Sequence, residues 1–193
     1  EPKTKELFSL AGMDVPRHLW TTDPDEARIF ARKIGYPVVV KVVSSRIIHK
    51  SDAGGVVTGI SDDGALREAC DHMSRLDGFE GVLVEEMVTG IELIVGAKID
   101  SQFGPVILCG MGGTTAEIYH DVSLRMAPIE TAEGRAMLDG LKARRLLEGF
   151  RGSEAVDKEI VVAMLVRFSA LVMEIQDRIE SIDLNPVICS GHK

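Results

Sequence analysis

The sequence predicts an α+β fold with antiparallel sheets, on three observations. Short β-branched runs such as "YPVVVKVV" and "GVLVEEMV" are interspersed with amphipathic helical stretches. The segments "ELIVGAKID" and "PVILCGM" flank the turn "SQFG" and read as a hairpin. The regular βαβ alternation of a doubly wound sheet is missing.

The elements follow in order. "TKELFSLAGM" is a short helix stopped at Gly12, and "DVPRHLW" is the extended connection after it. "DPDEARIFARKIG" is a stronger helix: Asp23 caps it, Pro24 suits its first position, Glu26 completes a D-x-x-E box, and Gly35 ends it. Tyr36 to Val43 is a short buried strand, "VVTGI" a second, and "DDGALREACDHMSRL" a helix with Leu66, Ala69, Cys70, Met73 and Leu76 on one face. "GVLVEEMV" is a third strand, and Glu92–Asp100 alternates with Leu93, Val95, Ala97 and Ile99 on one side. A glycine-rich stretch, "GMGGTTAEIYHD", precedes a short strand around "VSLRMAPI". Two helices are expected over 131–147 and 153–176, the second with a stripe of Val156, Ile160, Met164, Phe168, Leu171 and Ile175. "RIESIDLNPVIC" closes the chain as a strand ended by Pro186.

Composition narrows the function. Apolar residues at 45% and charged residues at 27% make an ordinary globular balance, and 193 residues suffice for one large domain or two lobes sharing a core. A formal charge of −8 argues against a nucleic-acid or anionic-membrane surface, which needs clustered positive charge. Aromatics at 5% leave little for stacking on single strands. Three unpatterned cysteines, Cys70, Cys109 and Cys189, suggest reduced thiols in a cytoplasmic protein. No signal-peptide core opens the chain, and no run approaches the roughly 18 apolar residues of a membrane span.

Three constellations could carry chemistry. Lys41 lies inside an apolar strand, where a lone charge is costly without a partner or a ligand. An edge-strand lysine that reaches solvent is the plainer reading. The loop "IHKSDAGGVV" follows it, and Gly54 and Gly55 there could leave backbone N–H groups open to phosphate oxygens. Two glycines also suit a plain hairpin. The strand end "VEEMVTGIE" offers backbone groups to a purine edge, with Glu92 seven residues after Glu85. In "ESIDLNP", alternation puts Asp183 and Asn185 on one face, a hard oxygen pair suited to Mg2+. Glu117 and Arg125 flank the glycine-rich stretch as further metal and phosphate candidates.

In this order the motifs resemble the ATP-grasp fold, two α/β lobes that clamp a nucleotide. The wording "GYPVVVKVVSSRIIHKSDAGGVVTGI", "VLVEEMVTGIELIVGAKIDSQFGPVILCGMGG", "DVSLRMAPI" and "IDLNPV" is similar to the ATP-grasp subunit or domain of NDP-forming acyl-CoA synthetases, relatives of the succinyl-CoA synthetase β subunit. The resemblance covers nearly the whole chain. It implies a smaller lid lobe at about 21–82 and a larger lobe from 1–20 plus 83–193, with one further family strand expected beyond residue 193.

The same resemblance implies an activity. ATP, a carboxylic acid and CoA are interconverted with acyl-CoA, ADP and phosphate through phosphohistidine. His49 would carry the phosphoryl group, an imidazole being a neutral nucleophile near pH 7. Lys41 would neutralise the α- and β-phosphates, and Gly54 and Gly55 would cover the γ end. Glu85, Glu86 and Val88 would form the adenine hinge, Glu92 would hold the ribose, and Arg125 would face the phosphates. Asp183 and Asn185, with Glu117, would ligate Mg2+. The implied cofactors are ATP or ADP with Mg2+. The implied partner is a CoA-binding, acyl-transfer domain or α subunit that brings the small carboxylic acid. Two other readings stand beside it: a non-catalytic ATP-binding regulatory module of a larger enzyme such as an acetyltransferase, and an ATP-grasp ligase that uses an acyl phosphate without phosphohistidine.

Overall fold

The structure, a computed structural model, describes residues 2–47, 50–113, 120–151 and 154–190. The chain divides into two compact units, Glu1–Leu10 with Asp14–Val88, and Ala11–Met13 with Thr89–Lys193.

The first unit contains helix α1 (Pro2–Leu10), strand β1 (His18–Thr21), helix α2 (Pro24–Ile34), strands β2 (Val38–Ser44) and β3 (Val56–Ile60), helix α3 (Asp63–Met73) and strand β4 (Phe79–Glu86). Its strands form one antiparallel sheet in the order β1-β4-β2-β3. Alternation decides what each face carries. Val38, Val40, Val42, Val82 and Val84 join Ala27 and Ala31 of α2 and Leu66, Ala69, Cys70 and Met73 of α3 in a buried core. The opposite face is left to Val39, Lys41, Leu83 and Glu85.

Two local expectations are corrected here. "DVPRHLW" is not wholly a connection, because His18–Thr21 pairs with β4 in the register His18↔Glu85 to Thr21↔Val82. Four residues at a sheet edge are too few to show a period of two, so the partner strand defines them. Asp23 caps α2 by accepting the Asp25 N–H, and Gly35 closes it, but Glu26 does not complete a box. Its Oε2 accepts the Thr21 hydroxyl at 2.6 Å, tying α2 to the end of β1. The strands that the sequence reading gave to the larger lobe, β1 in part and β4 from Leu83 onward, lie in this sheet.

The second unit contains strands β5 (Ile91–Asp100), β6 (Gly104–Met111) and β7 (Val122–Met126), helices α4 (Thr131–Asp139) and α5 (Lys158–Ile175), and strand β8 (Ser181–Cys189). The sheet order is β7-β6-β5-β8, antiparallel throughout. The expected β5–β6 hairpin closes at Asp100↔Gly104, with Asp100 Oδ1 accepting the N–H groups of Gln102 and Phe103 at 2.8 and 3.0 Å. Helices α4 and α5 pack on each other, and α5 lies over β5 and β6. They cover the face of Leu93, Val95, Ala97, Ile107 and Cys109, all buried.

Three expectations change in this unit. The helix over 131–147 ends at Asp139, and a single 3-10 turn forms at Arg144–Leu146. The buried carboxylate of Asp121 accepts the N–H groups of Lys142 and Ala143 at 2.7 and 2.8 Å and draws that backbone away from the helix. The buried stripe of α5 is Val161, Val162, Leu165, Phe168, Ser169, Leu171 and Val172, while Ile160 is exposed. A helix apolar nearly all round carries no phase of its own, and packing selects the face. Ser169 is tolerated inside because its hydroxyl accepts the Ile129 N–H at 2.9 Å. Pro186 does not end β8, which runs to Cys189. β8 is an edge strand and its register slips opposite Asn185 and Pro186, so no ladder donor is lost there.

Asp63 joins α2 to α3. It accepts hydrogen bonds from the Arg32 guanidinium and from the Tyr36 hydroxyl, the latter at 2.9 Å. The Arg32 hydrogen bonds hold the Asp63 carboxyl below the usual carboxylate range, and burial followed by the bond to Asp63 pushes the Tyr36 phenol up to about 12. A phenol raised on folding favours the folded state at pH values below its unfolded pKa of about 10, and that contribution fades as pH climbs towards 12. Alkaline difference absorbance should therefore show a late phenolate midpoint near 12 that is missing in Tyr36→Phe.

Candidate functional site

Lys41 lies in β2 on the face away from α2 and α3, with its side chain 23% exposed. Glu85 of β4 is its diagonal neighbour, since Val39 is the residue directly opposite Glu85. Glu85 is 3% exposed. Its Oε2 lies 2.7 Å from Lys41 Nζ, and its Oε1 lies 2.9 Å from Lys5 Nζ of α1. The Lys5 contact is an ion pair by distance and not a directed hydrogen bond. A carboxylate this buried would be strongly destabilising if left alone, and two ammonium groups compensate it. The Glu85 side chain is thus committed to lysines, which corrects its expected place as a side-chain contact of a purine hinge.

Glu86 is likewise engaged. Arg17 approaches its carboxylate with Nε at 2.5 Å and its backbone N–H at 3.1 Å, and the Glu86 N–H donates to Arg17 O. Val88 is half-buried and is the last residue of the first unit.

The glycines after β2 serve the turn itself. Gly54 N–H donates to Ser51 O at 3.2 Å and Gly55 N–H to Lys50 O at 2.7 Å, so neither donor points outward as expected. Gly54 has φ +67, and a Cβ on the buried Gly55 would lie 2.5 Å from Val42 Cγ1. Close approach of the loop to β2 therefore requires glycine there. Ile48 and His49 lie outside the described residues, as does Glu117.

In the second unit, Asp183 faces Gly96 across the β5–β8 pair, and a Cβ on Gly96 would lie 3.7 Å from Asp183 Oδ1. Asp183 and Asn185 are both exposed, and neither side chain has a hydrogen bond or ion pair among the described residues. Two unengaged hard oxygen donors, one of them beside a position without a side chain, suit Mg2+ shared with phosphate oxygens. Among the described residues no cluster of three or more His, Cys, Asp or Glu could hold a metal by itself. Glu92 is exposed on the same face, its carboxylate against Gly113 and its carbonyl accepting the Gly112 N–H at 2.7 Å.

Arg125 stands apart from this group. Its register is Arg125↔Ile107, whereas Leu124↔Leu108 belongs to the face of Gly96 and Asp183. Alternation along β7 therefore turns Arg125 to the other face, and its Nη1 donates to Leu124 O at 2.7 Å. The thiols are no part of the site: all three cysteines are free and buried, and burial pushes Cys109 up to about 12.

Sequence reasoning missed Lys5, Arg17 and Asp121. Lys5 had one legible sign, its position three residues before Phe8, which places both on one helical face. Phe8 is the one buried residue of α1.

Comparison with known proteins gives consistent matches. The family described as "ATP-grasp domain" matches residues 1–193. Acetate–CoA ligase [ADP-forming] I of Archaeoglobus fulgidus is 43% identical over 183 residues, which is 91% of this chain and 27% of that protein. The β subunit of acetate–CoA ligase [ADP-forming] I of Pyrococcus furiosus is 40% identical over 195 residues, covering 97% of this chain and 84% of the subunit. The chain thus spans about a quarter of the first relative and most of the second. The dinucleotide-forming acetyl-coenzyme A synthetase 1 of Ca. Korarchaeum cryptofilum, solved with coenzyme A, Ca-AMPCP and HgCl+, superposes with a TM-score of 0.92 at 37% identity, over 99% of this chain and 86% of that one. Its complex with coenzyme A and Mg-AMPPCP, described with a phosphohistidine segment pointing towards the nucleotide binding site, gives 0.83 at 36% identity, over 99% and 85%.

Gly55→Ala should destabilise the chain by about 1–3 kcal/mol, because the new methyl must displace Val42 or the loop. Urea unfolding checks this, and an unchanged midpoint would contradict the packing described for the loop.

Proposed function

The chain belongs to the ATP-grasp domain family, and from that premise we propose that it is the nucleotide-binding part of an ADP-forming acyl-CoA synthetase. The observation that carries this reading is Lys41, held by a buried carboxylate on the face of its sheet away from α2 and α3. A buried ion pair is weak grounds for stability, so its retention is better explained by a ligand that meets the lysine. The reaction proposed is ATP plus a small carboxylic acid plus CoA giving acyl-CoA, ADP and phosphate. CoA and the acid are handled by a partner domain or subunit, as the Archaeoglobus relative's greater length suggests. A cytoplasmic location fits this chemistry, and no described helix is long and apolar enough to cross a membrane.

The roles of individual side chains follow from their chemistry. The Lys41 ammonium offsets phosphate charge, and Glu85 fixes its position. The His49 imidazole attacks the γ-phosphorus; an N–P bond forms, the P–O bond to ADP breaks, and ADP leaves. Glu92 presents a carboxylate to the ribose diol. Asp183, Asn185 and Glu117 are the oxygen donors for Mg2+, which when bound shields the phosphate charge.

Two experiments test the reading. Incubation with γ-labelled ATP·Mg2+ should give acid-labile, base-stable label on the wild type and none on His49→Asn. Label that persists in His49→Asn, or ATP binding without label, would remove the phosphohistidine step and favour a regulatory module or an acyl-phosphate ligase. Asp183→Asn should lose most of the thermal stabilisation that ATP gives with Mg2+, roughly a tenfold weaker Mg2+-dependent affinity, while ATP without Mg2+ behaves as in wild type.

A further inference from the structure

Lys5 is far in sequence from every motif that carries the proposed reaction, yet it contacts the same carboxylate as Lys41. We propose that Lys5 is a positioning residue for the nucleotide phosphates: it compensates Glu85 so that Glu85 can hold Lys41 without cancelling the Lys41 charge. The inference rests on the nucleotide reading above and adds α1 to it.

The geometry separates two tasks for one carboxylate. Oε2 is 2.7 Å from Lys41 and Oε1 is 2.9 Å from Lys5, so each oxygen serves one ammonium group. Glu85 exposes 4% of its side chain and Lys5 15%, against 23% for Lys41. Lys41 is thus the most solvent-accessible of the three, and the other two form its support. With Glu85 and Lys41 alone, a ligand would meet a neutral pair. Adding Lys5 raises the local charge by one unit, whatever else touches Lys41. The Lys5 side chain is only 15% exposed, so its charge is poorly screened by salt. It is also fixed in place, since Lys5 shares its helical face with buried Phe8. Stability alone does not account for three charged groups here, because apolar replacements of buried ion clusters are often neutral or stabilising.

The test is calorimetric titration of the 193-residue chain with ATP·Mg2+ and, separately, with adenosine. Adenosine carries the base and ribose without phosphates, so it isolates the electrostatic part. Lys5→Met should weaken ATP binding about tenfold and leave adenosine binding at the wild-type level. Lys5→Arg should restore most of the loss. In Lys5→Met/Glu85→Gln one positive and one negative charge are removed together, and the ratio of ATP to adenosine affinity should return towards wild type. Equal losses for ATP and adenosine in Lys5→Met, or an unchanged ATP affinity, would overturn the inference and leave the nucleotide reading standing. A wild-type chain that binds neither ligand would overturn the reading itself and the inference with it. If Lys5→Met does not fold, Glu85→Gln is compared with the double variant, which reads the same one-charge difference without a stranded carboxylate. Equal ATP-to-adenosine ratios in those two proteins would then overturn the inference.

Discussion

The carboxylate of Glu85, closed in between Lys41 and Lys5, is the constraint around which the first unit is arranged. At 3% exposure it cannot rely on water, so its charge must be met by the protein. One lysine comes from the middle of the neighbouring strand and the other from a helix at the start of the chain. Each requires its own backbone to be in place. β2 must pair with β4 in the register Val39↔Glu85, and α1 must be seated by Phe8. A slip of one residue in that register would turn one strand over relative to the other and part Glu85 from Lys41, sending one of them into the valine core. The polar face and the apolar core are therefore set by the same alternation.

The second unit uses that logic with other chemistry. Its helices cover Leu93, Val95, Ala97, Ile107 and Cys109, and this leaves Gly96 and Asp183 on the face away from them. An antiparallel sheet with one face on its core can keep polar groups on the other without disturbing that core. The slip in register at Asn185 and Pro186 belongs to the same design, because an edge strand tolerates a proline and an extra residue that an inner strand would reject. Asp121 works differently: it is buried, and it organises backbone by accepting two N–H groups at the start of a turn.

Glycine has a steric role at several of these points. A Cβ at Gly55 would collide with Val42, and one at Gly110 would lie 2.6 Å from Val122 Cγ1. Small residues there let a loop and a neighbouring strand come as close as the sheets need. A phosphate-binding role would require free N–H groups, and those of Gly54 and Gly55 are engaged inside their loop. Glycine-rich wording in a sequence is thus compatible with two physical causes, and only the hydrogen-bond partners separate them.

Much of the fold was legible in the sequence because it is governed by local rules. Asp23 and Gly35 bound α2 through capping; "SQFG" closes its hairpin; and alternation identifies β2, β5 and the Asp183–Asn185 face. Lys41 stood out because a charge in a valine run is costly. Other features depended on partners distant in the chain. The phase of α5 was undecidable from a helix apolar nearly all round, and packing turned Ile160 outward and Ser169 inward. The strand at His18–Thr21 exists because β4 is beside it. Arg125 looked like a phosphate contact until register placed it on the other face of the sheet from Asp183. Lys5, 80 residues from Glu85, carried a single weak sign, its helical face. The sequence by itself determined which residues prefer helix, strand and turn, since those preferences act over a few neighbouring residues. Only the tertiary structure decided which charges meet, because a buried ion pair is fixed by strand register and helix docking between segments that share no local pattern.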